Sequence, residues 1–255
     1  MTKNPHDHLH GLSPRARSKH NLNVISEYLF RVGYSTPDLM KSLIGNQDTG
    51  WFADAIKRKD FQKVSTGVYE PSFVMALTER TLRVAEYNAK QLTPYLEIDS
   101  GRINQATMRH NLLVQELTLR SMKSGAISGY LTEREITVGG ERGVKRPDVV
   151  WLAKTGARIA VEVELTAKWA RHFDDFVSGI LIALDPPSGQ SSYDKFCVIT
   201  ESPAIFSRYS EGMAAGQPLN TWRKDSSGLW KVAKKGTVPD WLSERVSFKL
   251  VKSTW

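Results

Sequence analysis

Three acidic residues in two short stretches are the part of this 255-residue chain best suited to chemistry. Asp148 follows Pro147 at the head of the apolar run Val149-Val150-Trp151, and Glu162 and Glu164 alternate with Val161, Val163 and Leu165. Successive side chains of a strand point to opposite faces, so Ile159, Val161, Val163 and Leu165 share one face and the two glutamates the other. At that spacing their Cα atoms would lie about 6–7 Å apart, within reach of one ion. A turn at Thr155-Gly156 would lay Asp148 beside them. Carboxylates gathered in a sheet repel one another and resist burial. A hard divalent cation removes the conflict, and an all-oxygen set suits Mg²⁺ or Mn²⁺. Such an ion can polarise a phosphodiester and acidify its bound water. The same alternation also fits a sheet with one wet face, on which each glutamate is simply solvated.

Other residues could join this group. Glu116, on a helical run over 102–123, shares a stripe with Arg109 and Arg120 between Leu112, Leu119 and Leu113. It is either part of an acidic site or half of an i, i+4 pair with Arg120. His110 falls among Ala106, Leu113 and Leu117, where a core histidine and a catalytic one are both compatible with the pattern. Lys168, at the start of the next helix, could bring positive charge to the carboxylates or lie on the surface. Tyr130 and Tyr193 are not marked out by their context. The one cysteine, Cys197, sits in Phe196-Cys197-Val198-Ile199 and reads as core, so no disulfide framework exists and a reducing cytoplasm is expected.

The elements that must position these groups follow from periodicity. Residues 1–19 read as a flexible polar arm. Between 20 and 70, Asn23 to Val32, Thr36-Pro37-Asp38 to Gly45, and a run after Thr49 carrying Trp51, Phe52, Ala55 and Ile56 predict three helices. Phe61 to Val64 and Gly67 to Tyr69 predict a hairpin about Ser65-Thr66. Helical patterns follow over 71–91 and 102–123. Strands are expected at Glu133 to Val138, Pro147 to Leu152, Arg158 to Leu165, Lys195 to Thr200 and Val246 to Val251, with Gly139-Gly140 as one of the turns. Helices are expected over Lys168 to Leu184, with Trp169, Phe173, Phe176, Val177, Ile180, Leu181 and Leu184 inward, and over Pro203 to Met213. The result is an α/β chain with a mixed sheet flanked by helices.

Charge indicates a partner. The net charge is +8, with 13 Lys/Arg against 11 Asp/Glu before residue 100 and 22 against 16 after it. Basicity spread in this way suits a polyanion such as DNA, since each neutralised phosphate releases counterions, although a soluble basic protein would share it. No stretch approaches 18 apolar residues, so neither a membrane span nor a signal peptide is expected. Three helices and a hairpin in about 50 residues is the order of a winged helix, in which the third helix enters the major groove. Lys57, Arg58 and Lys59 at the end of that helix, and Lys63 on the hairpin, are the candidate phosphate contacts. A small helical subdomain without DNA would carry the same pattern. Near the C-terminal side, Thr221-Trp222-Arg223-Lys224 and Leu229-Trp230-Lys231 predict a basic hairpin. Its tryptophans either stack on unpaired bases or pack on the body.

Pro147-Asp148 followed by Glu162-Val163-Glu164 resembles the PD-(D/E)xK nuclease signature, with Glu164 in place of the usual lysine. The resemblance implies that Asp148 and Glu162 hold metal, that Glu164 stands near the attacking water and metal, and that Glu116 occupies the family's helix glutamate position. With the preceding winged helix and the spacing of His110 and Glu116, residues 20–200 resemble the MobC-type relaxases of mobilisable plasmids and the related replication-relaxation proteins. That implies a winged-helix domain over 20–95 and a nuclease-like domain over 96–255. It also implies nicking at a plasmid transfer origin, an accessory mobilisation protein and delivery to a conjugative coupling protein. A DNA-binding regulator on a nuclease-like scaffold is the alternative. His8-Leu9-His10 mimics the motif of the tyrosine-dependent relaxases, but it lies with His6 in a polar arm and not on a strand.

Overall fold

The computed structural model describes residues 12–45, 50–67, 70–89, 94–136, 145–186, 189 and 191–252. The expectations at His6, His8, His10, Thr49, Val68, Tyr69, Gly139 and Gly140 lie outside them. The chain divides into two compact units, Met1–Arg120 and Ser121–Thr254. The division falls within a helix.

In the first unit, α1 spans Pro14–Val32 and so takes in part of the expected arm. Ser13 Oγ accepts from the backbone N–H of Ala16 at 3.3 Å and Pro14 fills the first turn, a start signal upstream of the apolar run. Helix α2 (Pro37–Ile44) begins as expected, with Thr36 Oγ1 accepting from Leu39 N at 3.2 Å, and stops at the left-handed Gly45. Helix α3 is Gly50–Lys57. Strand β1 (Phe61–Ser65) pairs antiparallel with β2 (Phe73–Leu77), from Phe61 opposite Leu77 to Ser65 opposite Phe73.

The second strand therefore lies later than Gly67 to Tyr69, and the helical pattern over 71–91 opens as a strand. Val74 to Leu77 are all buried, and a short continuous apolar run has no period to separate strand from helix. Helix α4 (Glu79–Asn88) starts only after the Thr78/Thr81 capping box. Helix α5 (Met108–Lys123) is preceded by three 3₁₀ turns and so begins later than residue 102. Ile25, Leu29, Met40, Phe52, Phe61, Met75, Met108 and Leu112 form the unit's core.

The second unit is built on a five-stranded mixed sheet. It contains β3 (Ile127–Thr132), β4 (Val149–Ala153), β5 (Arg158–Val163) and β6 (Lys195–Thr200) in that order, with β9 (Val246–Leu250) at the edge beyond β6. β3, β4 and β5 run antiparallel as a meander, while β5, β6 and β9 run parallel. The first strand lies at 127–132, and the described residues of the expected strand, 133–136, follow it as a turn. Ser128, Gly129 and Tyr130 dilute its alternation, and Glu135 Oε2 accepts from Thr132 N at 2.8 Å to make a turn where the strand was expected. Gly156, at φ 87°, closes the β4–β5 turn. Helix α6 (Ala170–Leu184) makes the crossover from β5 to β6, and α7 (Pro203–Gly212) follows β6. An antiparallel hairpin of β7 (Pro218–Lys224) and β8 (Trp230–Thr237) and the short α8 (Leu242–Arg245) precede β9. Phe176, Val177, Ile180, Phe196, Val198, Tyr209 and Leu242 fill the core between helices and sheet. Phe196 to Thr200 are buried, as expected for a central strand, and Cys197 is 2% exposed with its thiol pKa pushed up by burial. Among the described residues no helix is long and apolar enough to cross a membrane.

Candidate active site

The β4–β5 pairing brings the acidic residues together. Asp148, just before β4, donates its N–H to Val161 O at 3.0 Å, and its Oδ2 accepts from Val163 N at 2.7 Å. Its carboxylate is thereby held against β5, where Val161 and Val163 flank Glu162. Glu162 and Glu164 are each only 4% exposed, which removes the wet-face reading of their alternation. Glu164 lies past the end of β5, yet its N–H donates to Ile199 O at 2.8 Å and extends the parallel pairing with β6.

Two lysines answer the buried charge. Lys145 Nζ lies 2.5 Å from Glu162 Oε1, and Lys168 Nζ pairs with Glu164 Oε1. Both ammonium groups stand over the ring of Phe176, Lys168 at 4.7 Å and Lys145 at 5.8 Å from its centre. Glu162 Oε2 is buried and has no hydrogen-bond partner. Burial and the neighbouring Asp148 push the Glu162 pKa up to about 8 against the pull of Lys145, with Glu164 adding to the rise. The fully buried Tyr209 hydroxyl accepts from Lys168 N at 3.1 Å. Burial and the charge of Glu164 raise its pKa well above the ordinary phenol value. Arg208 Nε donates to Lys168 O at 2.9 Å, so the backbone at Lys168 is held from both sides.

Asp148, Glu162 and Glu164 are thus neighbours, and of the two positions open to Lys168 the structure has the one beside the carboxylates. Among the described residues no three His, Cys, Asp or Glu side chains form a ready metal cage. Lys145 and Lys168 each occupy an oxygen that such a cage would use. Glu116 and His110 belong to the first unit. Glu116 is 4% exposed and pairs with Arg120 at 3.3 Å, and His110 Nδ1 lies 3.1 Å from Asn111 Oδ1, half-buried on α5.

Of the candidate DNA contacts, Lys57, Lys59 and Lys63 are exposed, Lys63 standing 4.4 Å over the Phe73 ring. Arg58 is also exposed but is engaged by the buried Asp60 at 2.9 Å. On the hairpin, Arg223 and Lys224 are exposed, and the tryptophans divide. Trp222 donates Nε1–H to the buried Asp174 at 2.7 Å and anchors the hairpin to α6, whereas Trp230 is 45% exposed.

Sequence reasoning missed Lys145, Tyr209 and the setting of Trp169. Lys145 could have been found as one of two basic residues directly before Pro147-Asp148; nothing local marks Tyr209. Trp169 was expected inward but is 64% exposed, because it is the N-cap of α6 and stands off the helical track that aligns Phe173 and Phe176. No family model matches the chain, and neither a curated protein nor a solved structure shows a significant similarity to it.

Proposed function

We propose that this protein is a metal-dependent endonuclease that nicks one strand of DNA, acting as a MobC-type relaxase at a plasmid transfer origin. One observation carries the reading. Glu162 is buried beside Asp148 with an oxygen that has no partner, an arrangement a fold does not need for stability. The donors fit Mg²⁺ or Mn²⁺, since Mg²⁺ is held in nuclease-like sites by one or two carboxylates and completed by water and substrate phosphate. Asp148 and Glu162 would hold it, and the bound ion would supply a polarised phosphate and an acidified water. The chain's own groups do the rest. Glu164, fixed by Lys168, is the carboxylate placed to accept a proton from the attacking water. Lys145 and Lys168 provide the positive charge that the PD-(D/E)xK pattern assigns to a single lysine at the Glu164 position. The Phe176 ring excludes water beneath both.

The first unit supports DNA binding. Its order α1-α2-α3-β1-β2 is that of a winged helix, with Lys57, Arg58, Lys59 and Lys63 exposed at the end of α3 and on β1. A coupling protein and an accessory mobilisation protein are the partners this reading implies. The two lysine–glutamate pairs favour a second reading, a DNA-binding regulator whose carboxylates are already compensated. Supercoiled plasmid carrying candidate transfer origins, incubated with the protein in Mg²⁺, Mn²⁺ or EDTA, separates the two. Metal-dependent open circles that disappear with Asp148→Ala/Glu162→Ala are expected. Specific binding without nicking, unchanged in that variant, would leave the regulator.

A further inference from the structure

Two tryptophans of the second unit stay open to solvent while a guanidinium covers one face of each. Trp169 is 64% exposed with Arg208 at 3.6 Å from its ring centre. Trp230 is 45% exposed with Arg171 at 4.2 Å and the Lys224 ammonium at 5.6 Å. The cations are fixed. Arg208 is tied to Lys168 O at 2.9 Å and lies 5.3 Å from the Phe173 ring, and Arg171 is braced by Asp175 at 2.6 Å. Rings backed in this way are held in place, and both remain largely open to solvent.

The placement adds to this. Trp169 directly follows Lys168, the partner of Glu164, and Ala170 is left-handed at φ 45°, a conformation unfavourable for a non-glycine residue. Strain of this kind persists where the surroundings impose it, often beside a functional site. On the hairpin that carries Trp230, Arg223, Lys224, Lys231, Lys234 and Lys235 face a single carboxylate, Asp225, and every residue of β8 is exposed. Trp222 and Asn220 both donate to Asp174, at 2.7 and 3.3 Å, so the base of the hairpin is held to α6.

We propose that Trp169 and Trp230 are stacking platforms for unpaired bases of a single DNA strand, with the hairpin's lysines and arginine neutralising its phosphates. A base offers a flat π face whatever its identity, so such platforms bind single strands with little sequence preference. A duplex hides those faces. The charge selects a polyanion, and the solvent-exposed tryptophans select one with exposed bases. The proposal rests on the nuclease reading only for the choice of DNA and deepens it by giving the nicked strand a path beside Glu164 and Lys168.

The test is binding of a fluorescein-labelled twelve-nucleotide oligothymidine in EDTA, followed by anisotropy, with nicking of supercoiled plasmid assayed separately in Mn²⁺. Trp169→Ala and Trp230→Ala are each expected to weaken oligonucleotide binding about tenfold, the scale of one lost base stack. Trp169→Phe and Trp230→Phe, which keep a ring, are expected to stay within about threefold of the parent. Retained melting temperature excludes misfolding, and quenching of tryptophan emission by the oligonucleotide, reduced in Trp169→Phe, reports contact independently. Unchanged affinity in both alanine variants, or no binding by the parent, would overturn the platforms even if the parent nicks DNA. Weakened binding in those variants, with no nicking by any protein, would keep the platforms and remove the nuclease.

Discussion

Each unit buries an acidic site, and the two are compensated differently. In the first, Asp60 is 2% exposed and bracketed by Arg58 Nε and Arg80 Nη1, both at 2.9 Å, one on each oxygen. One carboxylate faces two guanidinium groups, whose planar forks suit permanent pairing. In the second, three carboxylates share two lysines, one glutamate oxygen has no partner, and the Glu162 pKa stands at about 8. Lysine is a compact point charge on a flexible stem and moves more readily when another cation arrives. A site with two cations for one carboxylate holds loops together, and one with more carboxylates than cations keeps capacity for a ligand. Both lie beside a left-handed non-glycine residue, Lys59 at φ 59° and Ala170 at φ 45°, so strain alone does not distinguish them.

The largest effect should separate the two sites by function. Asp148→Ala/Glu162→Ala should reduce nicking by more than about a hundredfold, since even outer-shell partners of a metal matter by ten- to a hundredfold. Asp60→Ala should leave the rate of nicking per bound plasmid unchanged. It should lower the stability of its unit by about 1–2 kcal/mol, a modest loss because both arginines reach solvent. Equal loss of nicking in both variants would erase the comparison. Next, Lys145→Ala should lower nicking about ten- to a hundredfold, as expected for a group that orients a ligand.

The pH dependence comes third. A glutamate whose folded pKa is raised keeps its proton in the native state while the unfolded chain loses it, so stability falls as pH rises. For Glu162 that loss should run from about pH 4.5 to about pH 8. Glu162→Gln should flatten it, giving a higher melting temperature than the parent at pH 8 and little difference near pH 4. A parent whose second unit melts at the same temperature across this window would refute the assignment. The smallest effect is backbone strain. Lys59→Gly and Ala170→Gly should each stabilise their own unit by up to about 1 kcal/mol in denaturant melts.

Much of the site was legible because alternation is a strong signal where one face is buried. Val161, Glu162, Val163 and Glu164 fixed which side the carboxylates share, and Gly156 marked the turn that returns Asp148 to them. Lys145 carries no periodic signature, and only its place directly before Pro147-Asp148 marked it. The fold was read least well where composition and geometry disagree. Val74 to Leu77 lack a period, Gly129 and Ser128 interrupt β3, and Trp169 fits a helical stripe that begins one residue too late to include it. The first helix was placed short because its start is set by Ser13 and Pro14 and not by apolar residues.

The position of β9 bears on how the molecule is made. β6 is buried from Phe196 to Thr200 and is paired on one side by β5 and on the other by β9, whose residues lie some fifty positions further along the chain. Until Val246–Leu250 docks, Phe196–Thr200 is an open, apolar strand edge, the kind that recruits strands from other molecules. Pairings between distant segments also form late, because the intervening chain must first be ordered. Synthesis of α7, the hairpin and α8 therefore passes while the sheet that carries Glu162 and Glu164 is still exposed to aggregation. Any variant that weakens the docking of Val246–Leu250 is therefore expected to lower the soluble yield, read from the soluble fraction on expression.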